Sequence, residues 1–212
     1  MKCLTFPVTD MNTCYIVGAA ECTRLPTPDK TDLVIAADGG YDTLKKSGIR
    51  CDLLIGDLDS IEATHADVET IRHPKMKDET DMHLAYLEGA GRGYTDFVIY
   101  GGLGGRFDHT FANYSLLLYI RNRGHRASLI CDTGATYLIK NEEITITGNA
   151  GKYFSVFPFG SDATGVSIKG AKYNVEGAKM NCEFPIGVSN EFVGGGATVG
   201  VKDGALLIIC EI

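Results

Sequence analysis

The chain has 212 residues, 44% of them hydrophobic and 22% charged, enough apolar material for one large core or two small ones. A formal net charge of −7 argues against nucleic acid as the main partner, because phosphate-backbone binding needs a basic surface. No run of 18 apolar residues occurs and Met1–Pro7 lacks a signal-peptide apolar region, so the sequence predicts a cytoplasmic protein with no membrane span.

Seven cysteines, an odd number with no C-x-x-C pair, read as reduced thiols and not as a disulfide framework or zinc site. In chain order, Leu33–Ala37 is a short apolar run suited to a buried parallel strand. Asp38-Gly39-Gly40 ends it, and Tyr41–Ser47 reads as a helix closed by Gly48. Leu53–Ile55 is a second strand, ended by Gly56-Asp57, and Thr70–His73 a third, ended by Pro74. Thr80 is placed to cap a helix from Asp81 to about Glu88. Phe97–Tyr100 is strand-like and runs into Gly101-Gly102-Leu103-Gly104-Gly105. A helix from about Asp108 to Arg123, ended by Gly124, and a strand Ala127–Cys131 follow. Strands separated by helical stretches imply a parallel sheet with helices on its faces.

From about residue 135 the pattern changes to short apolar runs separated by Gly, Asn, Asp and Pro. Tyr137–Ile139, Ile144–Ile146, Tyr153–Phe157, Val166–Ile168, Thr198–Val201 and Leu206–Cys210 are the runs, and none has a long helical period. The expectation is therefore α/β plus all-β: a parallel-sheet α/β domain over residues 1–134, then a small β-sandwich or β-barrel over 135–212.

Acidic residues gather just past the carboxyl ends of the expected strands, where open α/β sheets bind ligands. Asp38 follows the first of them, Asp57 and Asp59 the second, and Asp108 the strand Phe97–Tyr100. The pair Asp57-Leu58-Asp59 can face one hard cation such as magnesium, which takes a few carboxylates plus waters and phosphate oxygens. A turn with an N-cap at Asp59 or Ser60 is the plainer alternative. Asp81 lies in a first helical turn, where the helix dipole favours an anion or a metal-bound carboxylate.

Glycines in Gly101–Gly105 let a backbone approach phosphates. Arg106 can hold a phosphate bidentately, Asp108 can orient Arg106, bind a metal-held water or accept a proton, and His109 can do acid–base work. A tight strand-to-helix turn explains the same glycines without a ligand, and no G-x-x-x-x-G-K-[ST] P-loop occurs. In the β-rich part, Ser189-Asn190-Glu191 and Tyr173-Asn174 are polar knots that either a turn or a ligand contact explains.

Together these blocks resemble the thiamine pyrophosphokinase family. The matching pieces are Ala37–Gly40, Asp52–Ser60, Lys77–Asp81, Gly104–His109 with Asn113, and Val188–Phe192, in the family's order and spanning nearly the whole chain. The resemblance implies an α/β catalytic part, a β-sandwich part, and a homodimer whose thiamine site lies between subunits. It implies magnesium-dependent transfer of the terminal diphosphate of ATP to the thiamine hydroxyl, with release of AMP.

By position, it implies that Asp57, Asp59 and Asp81 are the magnesium and phosphate-side carboxylates. Asp38, Gly39, Gly40, Thr80, Gly104, Gly105, Arg106, Asp108, His109 and Asn113 become nucleotide or phosphate-side residues, and Tyr173, Ser189 and Asn190 thiamine contacts from a partner's β domain. One departure stands out: some members carry tryptophan where this chain has Tyr173, and this chain has no tryptophan. Tyrosine stacks on an aromatic cation more weakly. Two rival readings of the same residues are a phosphohydrolase with Asp57 as nucleophile and a non-catalytic nucleotide-binding module.

Overall fold

The computed structural model describes residues 12–57, 68–74, 76 and 78–211. These fall into two compact units. One takes in the described residues up to Leu116 together with Arg123–Asp132. The other takes Leu117–Asn122 and the described residues from Thr133 onward.

The first unit is built on six parallel strands: β1 (Thr13–Val17), β2 (Leu33–Ala37), β3 (Leu53–Gly56), β4 (Glu69–Arg72), β5 (Asp96–Tyr100) and β6 (Arg126–Cys131). Their spatial order is β6-β5-β1-β2-β3-β4. Every residue of β2 and β3 is buried, as a strand covered on both faces requires. The chain moves outward from β1 through β2 and β3 to β4, then returns to place β5 on the opposite side of β1. The sheet therefore changes direction between β1 and β5, which opens a crevice at their carboxyl ends.

The described residues of this unit include α1 (Gly40–Lys46), α2 (Asp81–Gly91) and the start of α3 (Phe107–Arg121), whose residues from Leu117 belong to the other unit. The end of α1 matches expectation, with Ser47 as C-cap and Gly48 at φ 66°. Thr80 caps α2, its hydroxyl accepting the His83 backbone N–H at 3.2 Å. Helix α2 runs past Glu88 to Gly91, and Gly89 sits where the helix meets the sheet. A Cβ there would come within 2.8 Å of the Cys14 sulfur and 2.9 Å of the Phe97 ring. None of the described helices is long and apolar enough to cross a membrane.

β1 has no counterpart among the strands expected from sequence, although it lies at the centre of the parallel sheet. Its Thr13 and Tyr15 are only half-buried, so only Cys14, Ile16 and Val17 carry an apolar signal.

The second unit contains two antiparallel sheets. One has the order β12-β9-β14-β7, from β7 (Gly134–Lys140), β9 (Tyr153–Pro158), β12 (Asn190–Glu191) and β14 (Ala205–Glu211). The other has the order β11-β10-β13-β8, from β8 (Glu143–Thr147), β10 (Ala163–Lys169), β11 (Val175–Met180) and β13 (Gly196–Gly200). Alternation buries one face of β9 through Phe154 and Val156, and one face of β10 through Val166 and Ile168. The expected α/β plus β-sandwich architecture is the one observed. β11 and β12 were not expected: β11 buries only Met180 and β12 is two residues long.

Candidate active site

The crevice between β1 and β5 is a cavity of about 360 Å³ in the first unit. Much of its wall is main chain and small residues: Gly18, Ala19 and Ala20 after β1, and Gly101, Gly102, Gly104 and Gly105 after β5. The two strand ends touch. Gly18 N–H donates to the Tyr100 carbonyl at 2.8 Å, and Ala20 N–H to the Gly101 carbonyl at 3.1 Å. Gly101 has φ 61°, and a Cβ on it would lie 2.3 Å from the Gly18 carbonyl oxygen. Only glycine fits that crossing.

Three side-chain groups complete the cavity. Asp38, at the end of β2, is one of three described non-glycine residues with positive φ, at 49°, and its N–H donates to the Ile55 carbonyl at 2.8 Å. Such conformations cluster where a site dictates the backbone. Thr80, Asp81 and Met82 bring the first turn of α2 to the wall, and Arg106, His109 and Asn113 bring the first two turns of α3. Asn113 is 5% exposed, and its amide donates to the Gly102 carbonyl at 2.7 Å, holding the glycine loop.

Arg106 and Asp108 are exposed and paired side by side. Arg106 Nε meets Asp108 Oδ1 at 3.1 Å, and its second nitrogen meets Oδ2 at 2.5 Å. This fork-on-fork contact holds the Asp108 carboxyl below its ordinary value, with the His109 N–H on Oδ1 adding to it. It raises the Arg106 guanidinium in turn. The pairing makes Asp108 a poor proton acceptor and a good orienter of Arg106.

Of the residues singled out from sequence, Asp38, Thr80, Asp81, Gly104, Gly105, Arg106, His109 and Asn113 therefore share one cavity wall. Asp57 stands at the same sheet edge, one strand beyond Asp38, but is not part of the lining. Asp59 lies outside the described residues. Gly39 and Gly40 lie just after Asp38 and are closely packed: a Cβ on Gly40 would fall 1.9 Å from the Val17 carbonyl oxygen, and one on Gly39 3.1 Å from Ala19 Cβ.

Sequence reasoning missed Gly18, Ala19, Ala20 and Met82. Gly18 to Ala20 carry the same signal as the other strand ends, small residues just after the run Tyr15-Ile16-Val17.

Among the described residues no three His, Cys, Asp or Glu gather into a metal cage. Separated carboxylates on one edge suit magnesium, which keeps several waters and takes phosphate oxygens, better than an ion needing a full protein shell. Burial pushes the thiol of Cys51 up to about 11 and that of Cys210 up to about 12, and raises Cys14 further, so none of these is a nucleophile.

In the second unit the structure brings Tyr173, Ser189 and Asn190 together. Asn190 is 6% exposed, its Oδ1 accepting from Tyr173 N–H (3.1 Å) and Glu191 N–H (2.9 Å) while its Nδ2 donates to the Tyr173 carbonyl (2.8 Å). Its amide thus holds the Tyr173 backbone and leaves that ring exposed. Ser189 has φ 60°, and its N–H donates to Ser155 Oγ at 3.0 Å.

Comparison with known proteins agrees with this geometry. Residues 27–130 match the family model described as "Thiamin pyrophosphokinase, catalytic domain", and residues 136–206 match "Thiamin pyrophosphokinase, vitamin B1 binding domain". The thiamine pyrophosphokinase of Bacillus subtilis is 28% identical over 211 residues, covering 94% of this chain and 98% of that protein. The crystal structure of the Bacillus subtilis enzyme superimposes with a TM-score of 0.85 at 25% identity, over 94% of this chain and 99% of that one. Yeast thiamin pyrophosphokinase, at 18% identity and a TM-score of 0.74 over 98% of this chain and 88% of that one, shares the fold. With both domains matched in order by sequence and by structure, the chain belongs to the thiamin pyrophosphokinase family.

Proposed function

We propose that the chain transfers the diphosphate of ATP to the hydroxyl of thiamine, giving thiamine diphosphate and AMP, with the cavity between β1 and β5 as the nucleotide site. The observation that carries this is the convergence of Asp38, Asp81 and Arg106 on one glycine-walled cavity at the carboxyl edge of the parallel sheet. Glycine and small residues let main chain approach a polyphosphate.

Asp57, Asp59 and Asp81 would hold magnesium, which when bound supplies charge neutralisation on the phosphates. Arg106, held in plane by Asp108, binds phosphate oxygens as charge develops on the bridging oxygen to AMP. Thr80 fixes the start of α2 and so the direction of Asp81. Asn113 keeps the glycine loop against the cavity.

The second unit takes the thiamine end. Tyr173 offers an exposed ring to the cationic thiazolium. Asn190 positions that ring through its backbone, and Ser189 lies beside it. Tyr153, Tyr173, Val188 and Val193 leave apolar surface exposed around β12, which supports a homodimer with the thiamine site at the subunit interface. A cytoplasmic location goes with ATP as co-substrate and with the free thiols.

The phosphohydrolase reading uses Asp57 as nucleophile and the transfer reading uses it as a magnesium ligand; its place outside the cavity lining favours neither. An assay with ATP, magnesium and thiamine separates the readings. Transfer gives AMP only when thiamine is present, hydrolysis gives inorganic phosphate without it, and a binding module gives neither.

A further inference from the structure

The connection from β1 to β2 runs from Gly18 to Asp32 with no helix or strand. Connections this long inside a compact unit usually serve a site. Its path is indirect. β2 lies on one side of β1, yet the chain first crosses the other way, over the end of β5, where Ala20 N–H meets the Gly101 carbonyl at 3.1 Å. It then reaches the end of β6. There a single oxygen, Asp132 Oδ1, accepts from Thr23 N–H at 2.8 Å, Thr23 Oγ1 at 2.9 Å and Arg24 N–H at 2.9 Å. The Cys22 thiol lies 3.7 Å from the same oxygen and donates to the Arg24 carbonyl at 3.0 Å.

The result is a strap across the carboxyl edge of the sheet, whose Thr23–Arg24 stretch is tied to the end of β6 by one carboxylate. Its first residues, Gly18, Ala19 and Ala20, are cavity wall, while Asp132 is not. We propose that Asp132 is a positioning residue for the nucleotide site: by clasping Thr23 and Arg24 it holds the Gly18–Ala20 main chain as a fixed wall against which ATP binds. The inference rests on the ATP reading of the cavity. A wall ordered before binding spares the ligand the cost of ordering it.

The test measures ATP affinity by calorimetry, and AMP formation with thiamine, for wild type, Asp132→Ala, Asp132→Asn and Thr23→Val. Asp132→Ala is expected to weaken ATP binding and raise KM for ATP about tenfold, with kcat within about twofold, because the wall must then be ordered on binding. Asp132→Asn keeps an acceptor at Oδ1 and should recover most of the loss. Backbone amide exchange at Thr23 and Arg24 should quicken in the alanine variant. A folded Asp132→Ala with ATP affinity within twofold of wild type overturns the proposal. If Asp132→Ala does not fold, Thr23→Val, which removes one of the three bonds, should weaken ATP about threefold, and unchanged affinity there overturns it. Wild type that binds ATP but makes no thiamine diphosphate would sink the transfer reading alone. Wild type that binds no ATP would sink both.

Discussion

The two units hold their candidate site residues by opposite means. In the first, most of the site is main chain: strand ends cross at Gly18 and Gly101, and a few side chains reach in from the first turns of two helices. In the second, the residues at stake are surface side chains, and one buried amide, Asn190, sets the backbone that carries Tyr173. Each unit also contains a left-handed non-glycine residue among those singled out from sequence, Asp38 in one and Ser189 in the other. A main-chain site should fail when atoms are added to it, and a side-chain site when atoms are taken away.

The largest effect is expected where the first unit does depend on a side chain. Asp81→Asn should lower kcat by about a hundredfold or more with the melting temperature nearly unchanged, since a carboxylate that would hold magnesium against the phosphates is lost and the helix cap at Thr80 is kept. Steady-state kinetics beside a thermal melt check this. Gly101→Ala comes next. The added methyl meets the Gly18 carbonyl at a backbone conformation that alanine disfavours, so a loss of about 3 kcal/mol in stability and weaker ATP binding are expected, measured by denaturant unfolding.

Asn190→Ala removes three hydrogen bonds in the second unit. It should cost about 2 kcal/mol and raise KM for thiamine while leaving KM for ATP as it was. A change in both constants would blur the contrast between the units.

The smallest effect concerns Asp108. Arg106 lowers its pKa from the ordinary 3.8. A carboxyl lowered in the folded state adds its favourable interaction above the unfolded value and loses it as pH falls through the folded value. The Arg106 pair should therefore survive acidification to pH 4, and a carbon NMR titration should place the Asp108 midpoint below 3.8.

The parts of the fold that sequence reading recovers best are those with uniform burial. Leu33–Ala37 is apolar throughout and is found with its limits unchanged. Thr80 announces α2, and Gly48 and Gly124 follow the helices they end. Where burial is thin, the signal fades: β11 exposes most of its length because it stands at a sheet edge. β1 has the same burial pattern as β5 and β13, and nothing in its burial sets it apart from them. The glycine-loop and helix-start residues of the site are readable because their chemistry is concentrated in short motifs. Gly18–Ala20 are legible only once β1 is recognised, because small residues mark a strand end only when the run before them is taken as a strand. The close packing of Gly40 against the Val17 carbonyl and of Gly39 against Ala19 becomes visible only in the fold. Likewise, nothing in the sequence near Asn190 says that its amide is committed to Tyr173, 17 residues away.

The central claim is that the cavity between β1 and β5 binds ATP for diphosphate transfer. Incubating the full chain with ATP, magnesium and thiamine, and resolving the products, tests it most directly. Equal amounts of AMP and thiamine diphosphate are expected, with neither formed when thiamine is left out. Release of inorganic phosphate from ATP without thiamine, and no thiamine diphosphate with it, would contradict the account.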